Sequence, residues 1–317
     1  MRIAYKAVWD LPAEELFASG HRACAGCGPA IAMRWITKAA GPNTIVVNAT
    51  GCMEVTTTQY PETAWMLPYI HVAFENAAAV AGGIDAAVAA LSSKGLWKSG
   101  KTKVIAIAGD GGTYDIGLQA LSGMLERGHH VLYILYDNEA YMNTGIQRSG
   151  ATPKYAWTTT TPVGRAIRGK IQQKKDIMGI VMAHRVPYAA TASISNIIDM
   201  ANKIKTALEY TEEGPTFLHI IAPCPPGWRF PEERTVEVAR LAVETGYFPL
   251  YEYDHGRIRF QPPTAQIIAD PKRRKPLREW LKIQGRFAHL TDAEIAELEK
   301  EVESNLQYLA ALAKAFG

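Results

Sequence analysis

Between residues 28 and 222 of this 317-residue chain, apolar runs alternate with segments of helical periodicity, and this alternation limits the possible folds most strongly. The predicted strands are the apolar runs at residues 44–48, 103–108, 131–136, 186–192 and 216–222. The predicted helices are residues 29–40, 74–91, 115–127 and 194–210. Strands that are apolar throughout are typical of a parallel sheet with both faces covered. The sequence therefore predicts an α/β fold, with a mostly parallel sheet and helices on both faces.

Residues 138–175 interrupt this alternation. They are rich in Thr, Gly, Arg and Lys and show no convincing periodicity. A loop of this length inside a compact domain usually serves function or is poorly ordered. Four of its basic side chains could contact an anionic substrate, a coenzyme A phosphate or a partner chain, with a solvated surface as the alternative: Arg148, Lys154, Arg165 and Arg168.

The composition changes again after Cys224, where Pro-rich and basic segments begin. A hairpin is predicted around residues 254–256, within the run YEYDHGRIRF. The last helix is predicted to start at Thr291, because Glu294 follows three residues later and completes a capping box. Its apolar positions form one stripe: Ile295, Leu298, Val302, Leu306 and Leu309. We expect this region to be an appendage that grips partner chains.

Charge and hydropathy exclude several classes of partner. Lys and Arg number 34 against 31 Asp and Glu, and the net charge of +3 is too small for a protein that binds nucleic acid. The N-terminal stretch MRIAYKAVWDLPAEELF contains acidic residues where an export signal needs an apolar run. The longest apolar stretch, residues 77–91, contains Asp85 and is too short to span a bilayer. The sequence predicts a cytoplasmic protein without a membrane partner.

The chain has only four cysteines, and their placement indicates a metal centre. Cys24 and Cys27 form a C-x-x-C pair, which brings two thiolates within reach of one centre. Cys52 follows a predicted strand, and Cys224 precedes a proline, as a ligand of ferredoxin-type clusters does. Spacing alone leaves an iron–sulfur cluster and a structural zinc site equally open, with unrelated core thiols as a third interpretation.

A second motif follows the predicted strand at residues 103–108. The turn after this strand consists of Gly109, Asp110, Gly111 and Gly112. Its glycines allow the backbone to approach phosphate oxygens, and the next helix supplies N–H donors at its N-terminus. The spacing does not match the dinucleotide fingerprint G-x-G-x-x-G. A plain strand–turn–helix with Asp110 as the helix cap is the alternative.

Asn138 stands at the end of the next predicted strand. Asp110 offers a carboxylate oxygen, and Asn138 an amide oxygen. Together with the carbonyl of Ala140, a diphosphate and water, they could complete the octahedral oxygen shell of Mg²⁺. An acid and an amide at the ends of consecutive strands favour a diphosphate and magnesium site over a plain turn.

Five segments together resemble one enzyme family: CAGCG, NATGC, GDGGTYDIG, YDNEAYMNTGIQRSGATP and APCPPGW. They are similar to the β subunit of pyruvate:ferredoxin oxidoreductase and its relatives acting on other 2-oxoacids, over roughly residues 18–230. The resemblance implies a thiamine-diphosphate-binding fold. Residues 1–234 would be the domain for thiamine diphosphate and the iron–sulfur cluster, and residues 235–317 a C-terminal extension for subunit contacts.

The same resemblance implies the roles of single residues. The ligands of one [4Fe–4S] cluster would be Cys24, Cys27, Cys52 and Cys224. Mg²⁺ would be held by Asp110, Asn138 and the Ala140 carbonyl. Asn143 would lie near the thiazolium and the substrate. A few relatives carry Thr at the position of Asn138, which also supplies an oxygen.

The implied function is the oxidative decarboxylation of a 2-oxoacid, with electrons passed one at a time through the cluster to ferredoxin. Pyruvate, giving acetyl-CoA and CO₂, is the first choice of substrate. Oxalate, which gives CO₂ without coenzyme A, and branched-chain or aryl 2-oxoacids are alternatives. The implied partners are an α subunit with the pyrimidine domain, a γ subunit, a ferredoxin-like cluster subunit and ferredoxin.

Two other functions compete with this one. A thiamine-dependent decarboxylase or synthase without redox chemistry would leave the four cysteines without a purpose. A zinc-stabilised binding module without catalysis is the alternative outside enzymes. The metal content of the anaerobically isolated protein distinguishes them.

Overall fold

Six parallel strands form the larger part of one eight-stranded sheet. The structure is a computed structural model that describes residues 4–316. Residues 1–3 of the predicted domain 1–234 and residue 317 of the predicted extension 235–317 therefore lie outside the described residues. The parallel strands are β1 (Thr44–Ala49), β2 (Tyr69–Val72), β3 (Lys103–Gly109), β4 (Val131–Asp137), β5 (Tyr188–Ser193) and β6 (Thr216–Ile221). All five predicted strands are confirmed, with ends that shift by up to two residues.

The strand order is β2-β1-β3-β4-β6-β5, and an antiparallel hairpin continues the sheet beyond β5. This hairpin consists of β7 (Tyr251–Asp254) and β8 (Arg257–Phe260), as predicted around residues 254–256. Strand β2 is absent from the predicted strands. It is four residues long and lies at the edge of the sheet with Ile70 and His71 exposed, so it lacks the continuous apolar run of a buried strand.

Helices cover both faces of the parallel strands, which confirms the predicted fold class. Helices α1 (Gly28–Ala40) and α6 (Ile197–Tyr210) pack on one face. The other face is covered by α3 (Ala77–Ser93), α4 (Leu118–Glu126) and α5 (Ile177–Ala183). None of the helices in residues 4–316 has the length and apolar character needed to cross a bilayer.

The remaining helices are short, apart from the last one. Two of them follow strands directly: α2 (Cys52–Val55) and α7 (Pro225–Trp228). Those of the C-terminal region are α8 (Thr235–Glu244), α9 (Thr264–Ala269), α10 (Leu277–Ile283) and α11 (Asp292–Phe316). The predicted capping box of α11 is confirmed, because Thr291 N donates to Glu294 Oε2 at 2.8 Å and Glu294 N donates to Thr291 Oγ1 at 3.3 Å.

The expectation that the C-terminal region is an appendage is wrong. Its hairpin extends the main sheet, and its helices form a core with residues from β6 and α7. The apolar stripe of α11 is 5–8% exposed, because it packs against the same chain. The stripe is therefore not a free surface for a partner. Subunit contacts through other parts of residues 235–317 stay a prediction.

Residues 138–175 contain no helix or strand beyond isolated bridges between single residues, as the lack of periodicity predicts. Two of their four basic side chains are paired within the chain. Lys154 Nζ lies 2.8 Å from Glu301 Oε1, and Arg168 Nη2 lies 2.8 Å from Glu294 Oε2. Both partners belong to α11, so these two cations hold the loop against the last helix. Contact of the exposed Arg148 and Arg165 with an anion stays a prediction.

Candidate functional site

Four neighbouring strands place the predicted site residues at one edge of the sheet. Strands β1, β3, β4 and β6 are adjacent and parallel, so their carboxyl ends lie side by side. Gly109 at the end of β3 pairs with Tyr136 of β4, and Asp137 pairs with Ile221 of β6. One to three residues beyond these strand ends stand Cys52, Asp110, Asn138 and Cys224. Chain segments more than 170 residues apart in the sequence thus meet at the position where α/β proteins bind ligands.

One pocket collects the residues predicted for the diphosphate and the metal. It is lined by Asp110, Asn138 and Ala140, together with Cys52 and Asn143. The glycines of the turn line the same pocket, as Gly109, Gly111 and Gly112. The side chain of Asn143 is exposed at this pocket. The structure therefore brings the predicted oxygen ligands together with one of the four thiols.

The oxygen atoms of this pocket suit a hard cation. An amide atom of Asn138 lies 2.8 Å from Asp110 Oδ1 and 2.9 Å from the carbonyl oxygen of Ala140. With the amide oxygen in this position, three acceptor oxygens converge, an arrangement that a cation stabilises. With the nitrogen there, Asn138 would donate two hydrogen bonds instead. Burial, followed by the charge of Asp137, raises the pKa of Asp110 well above its ordinary value, and a bound cation would offset both effects.

Close packing explains a glycine in the turn after β3. The chain enters a π-helical turn at residues Gly111–Asp115 directly after Asp110. A Cβ atom on Gly111 would lie 2.2 Å from the ring of Tyr141. The hydroxyl of Tyr141 donates to Gly111 O at 3.2 Å and to Asp115 Oδ2 at 3.3 Å. Gly111 is thus needed because an aromatic ring closes the pocket over it.

The four thiols occupy one region of the structure. Cys24 is exposed, and Cys27, Cys52 and Cys224 are half-buried. Burial raises the pKa of the Cys27 thiol to about 11 and that of the Cys224 thiol to about 12. Burial also raises the pKa of Cys52, and next in size are the contributions of Cys224 and Cys27.

Cys24 also contributes to the raised pKa of Cys52, and a cationic metal centre would reverse the rise in the pKa values of these thiols. Among the described residues, no three His, Cys, Asp or Glu side chains are as close as a single metal ion requires.

Two glycines bring the C-x-x-C pair next to Cys224. A Cβ atom on Gly28 would lie 2.5 Å from the carbonyl oxygen of Pro223, and Gly28 N donates to that oxygen at 3.2 Å. Gly26 has a positive φ of 66°, and its Cβ position is 2.3 Å from the carbonyl oxygen of Glu232. Only glycine allows the backbone to approach this closely at both positions.

Tyr136 is a site residue that the sequence does not reveal. Its hydroxyl lies 2.8 Å from the position of a Cβ on Gly51 and 3.2 Å from that of a Cβ on Gly109. It therefore stands between the loop that carries Cys52 and the turn that carries Asp110. Burial, followed by Cys52, raises the pKa of Tyr136 well above its ordinary value. In the sequence this tyrosine is one residue of an apolar strand, and no signal distinguishes it from core.

Asp137 and Glu139, on either side of Asn138, are also absent from the predicted site. Both are fully buried, and both contact the ammonium group of Lys174. His219 Nε2 lies 2.7 Å from Asp137 Oδ2. Burial by itself raises the pKa of Asp137, but Lys174 and His219 together hold this pKa below its ordinary value. A buried network of charged groups thus holds the two residues that flank Asn138, a proposed metal ligand.

Comparisons with known proteins show the family to which this chain belongs. The family model of the C-terminal TPP binding domain of thiamine pyrophosphate enzymes matches residues 49–220. The chain is 55% identical over 303 residues to pyruvate synthase subunit PorB of Methanocaldococcus jannaschii, which covers 95% of this chain and 99% of that protein. It is 48% identical over 307 residues to ketoisovalerate oxidoreductase subunit VorB of Pyrococcus abyssi, with 97% and 96% covered.

A solved structure shares the fold. The 2-oxoglutarate:ferredoxin oxidoreductase from Magnetococcus marinus, with 2-oxoglutarate, coenzyme A and succinyl-CoA bound, superposes with a TM-score of 0.51 at 20% identity. The match covers 73% of this chain and 81% of that chain. The high identity to PorB and VorB over nearly the whole chain, together with the thiamine pyrophosphate model, shows that this chain is a β subunit of the thiamine-diphosphate-dependent 2-oxoacid:ferredoxin oxidoreductase family.

Proposed function

We propose that this β subunit serves, within its complex, in the oxidative decarboxylation of pyruvate, with thiamine diphosphate, Mg²⁺ and one [4Fe–4S] cluster that passes electrons on towards ferredoxin. The observation that carries the proposal is the pocket that Cys52 shares with Asp110, Asn138 and Ala140. A site for a metal-bound diphosphate and a cluster ligand in one pocket is what a thiamine enzyme with an iron–sulfur acceptor needs.

The residues of the chain bind and orient the cofactor. When bound, thiamine diphosphate supplies a carbanion that adds to the 2-oxo carbon and retains the electron pair when CO₂ leaves. Asp110, Asn138 and the Ala140 carbonyl would hold Mg²⁺ against the diphosphate. Asn143, exposed at the pocket, would donate a hydrogen bond to the substrate oxygen that gains charge.

The positions of the thiols predict the direction of electron transfer through the subunit. The ligands of the cluster would be Cys24, Cys27, Cys52 and Cys224. Cys52 faces the pocket, and Cys24 is the exposed thiol. Electrons would therefore enter the cluster on the side of Cys52 and leave on the side of Cys24, towards a cluster of a partner subunit. Two one-electron transfers balance the electron pair left by each CO₂, and the acetyl group would pass to coenzyme A.

The relatives favour pyruvate and support one other substrate. Three archaeal PorB proteins are 51–55% identical to this chain, and VorB of Pyrococcus abyssi is 48% identical. The difference in sequence identity is small, and VorB is a ketoisovalerate oxidoreductase subunit, so a branched-chain 2-oxoacid is the second candidate. Assays of the complete complex with a viologen dye, using pyruvate, 2-oxoisovalerate and oxalate, decide between them. We expect the highest kcat/KM with pyruvate, and a higher value with either other acid would overturn that choice.

Metal analysis tests the cluster directly. The Cys224→Ala complex, isolated anaerobically, should contain less iron than the wild-type complex, by the equivalent of one four-iron cluster per β subunit. Met142→Leu is the matched control, because the Met142 sulfur lies beside Cys224 at Gly227 but is not a proposed ligand. Zinc in place of iron in the β subunit would refute the cluster and favour the zinc-stabilised module. Full iron content in Cys224→Ala would refute Cys224 as a ligand.

A further inference from the structure

The loop that carries the proposed metal ligands contains a strained residue. Glu139 lies between Asn138 and Ala140 and has a φ of 66°, in the left-handed region that residues with a side chain seldom adopt. Such a conformation costs free energy and persists only when the surroundings enforce it. Because Asn138 and Ala140 flank this residue, a relaxation of Glu139 would move both proposed ligands.

The carboxylate of Glu139 is held by three donors. Tyr247 Oη donates to Oε1 at 2.6 Å, and Lys174 Nζ donates to the same oxygen at 2.8 Å. Arg286 Nη2 donates to Oε2 at 2.6 Å. The carboxylate is 0% exposed, so bulk water does not compete with these contacts. Hydrogen bonds to a charged group in such a site are among the stronger ones in proteins.

Two of the three donors belong to residues 235–317, and both are rigidly packed. Arg286 is 2% exposed, its Nε donates to Gln284 Oε1 at 2.9 Å, and its guanidinium lies 3.9 Å from the ring centre of Trp228. The ring of Tyr247 stacks on Trp280 with 4.1 Å between ring centres. Their donors are therefore preorganised and cannot follow a displaced carboxylate without loss of packing.

We propose that the C-terminal region sets the geometry of the metal site in its own chain, with Tyr247 and Arg286 as positioning residues that act through Glu139. Neither residue lines the pocket of the proposed ligands, so each acts only through the loop. The inference rests on the proposed function, since it assumes that Asn138 and Ala140 bind Mg²⁺. It gives the C-terminal region a role inside the subunit, in addition to any contact with partners.

Metal affinity should therefore depend on these two distant side chains. When a donor is lost, Glu139 can leave its strained conformation in the metal-free state, and the metal must then reorder the loop on binding. The same coupling requires that the metal stabilises the wild type more than the variant. A residue that contributed only to general stability would change the melting temperature but not the affinity of the folded protein.

The test measures metal binding by the full-length chain in its complex. Mn²⁺, which reports its own binding by electron paramagnetic resonance, is titrated in the presence of thiamine diphosphate into wild type, Tyr247→Phe and Arg286→Lys. The matched control is Tyr251→Phe, a buried tyrosine of the same C-terminal region that is not one of the three donors to the Glu139 carboxylate. We expect at least a fivefold loss of Mn²⁺ affinity in both variants and less than a twofold change in the control.

Three results of this Mn²⁺ titration would contradict either this proposal or the proposed function. Unchanged Mn²⁺ affinity in Tyr247→Phe overturns the proposal. Tyr247→Phe removes only one hydroxyl, so this variant decides alone if Arg286→Lys is not recovered folded. An equal loss in Tyr251→Phe would show that any change in this region weakens the site, and would also overturn it. A wild type that binds Mn²⁺ no better in the presence of thiamine diphosphate than in its absence would instead contradict the proposed function.

Discussion

Trp228 Nε1 donates a 2.7 Å hydrogen bond to the main-chain carbonyl oxygen of Asn138. Trp228 is the last residue of α7, and Cys224 is the N-cap of the same short helix. The hydrogen bond therefore joins the segment of a proposed cluster ligand to the loop of a proposed magnesium ligand. The bond is buried, since Trp228 is fully buried and Asn138 nearly so. A buried contact thus connects the two proposed cofactor sites.

Trp228→Phe should weaken both sites at once. The phenyl ring retains the aromatic face, but the Asn138 carbonyl loses its buried donor, which costs about 1–3 kcal/mol in free energy of unfolding. We expect iron retention and affinity for thiamine diphosphate to fall together. Urea denaturation, iron analysis and cofactor titration measure these quantities. Trp97→Phe is the control, because its indole donates to Thr102 far from the site; equal stability of the two variants would contradict the prediction.

Asp110→Ala should abolish tight binding of thiamine diphosphate. Asp110 is buried and is the only carboxylate among the three proposed Mg²⁺ ligands. Without it the metal would bind weakly, and the α/β scaffold offers little else to compensate the negative charge of the diphosphate. Calorimetric titration at fixed Mg²⁺ concentration should show a loss of at least about tenfold in affinity. Asp85→Asn serves as control, since Asp85 contacts His129 in the connection between α4 and β4. Wild-type affinity in Asp110→Ala would refute the role of this residue.

Asn143→Ala should affect turnover more than cofactor binding. The amide is exposed at the pocket, where it can donate to a substrate oxygen that gains charge. Loss of one preorganised donor of this kind typically lowers kcat by about 10²–10³. Steady-state assays of the complex and thiamine diphosphate titration separate the two effects. Thr144→Ala, at the next exposed position, controls for the loop, and wild-type kcat in Asn143→Ala would show that the residue only packs.

Tyr136→Phe should retain the cluster but make it harder to reduce. The hydroxyl stands beside the Cys52 loop, and a hydrogen-bond donor near the cluster sulfurs favours the reduced form. Loss of about 1 kcal/mol of such stabilisation lowers a one-electron potential by roughly 40 mV. Redox titration followed by electron paramagnetic resonance measures the shift. Tyr133→Phe is the control on the same strand, with its hydroxyl near Thr113, and equal potentials in both variants would exclude the role of Tyr136.

The purified chain without other subunits should be catalytically inactive. Residues 4–316 form one diphosphate-binding unit, and by resemblance the carboxylate that activates thiamine belongs to the pyrimidine domain of an α subunit. All four cysteines are proposed ligands of one cluster, so further clusters would have to come from another chain. The chain is reconstituted with iron, sulfide, Mg²⁺ and thiamine diphosphate and assayed with pyruvate and a viologen dye. Steady turnover by the chain alone would contradict the prediction, and added partner subunits should restore activity.

Local patterns predicted most of the sheet and the candidate site. Buried parallel strands need continuous apolar runs, so five of the six parallel strands were visible, whereas the half-exposed edge strand Tyr69–Val72 was not. The sequence also predicted Asp110 and Asn138 at neighbouring strand ends, and both line one pocket; their roles as ligands stay a prediction. The stripe of α11 was visible as apolar, but its partner was misjudged, because periodicity does not say which surface covers a helix.

The sequence by itself determined the α/β class, the four cysteines, the glycine turn and the capping box of the last helix, because each depends on residues close together in the chain. Only the tertiary structure decided which distant groups meet. The Tyr136 hydroxyl lies between two loops, and the Glu139 carboxylate binds Arg286 from 147 residues further along the chain. Such contacts depend on how helices and strands pack in three dimensions, and a buried charge can have its partner anywhere in the sequence.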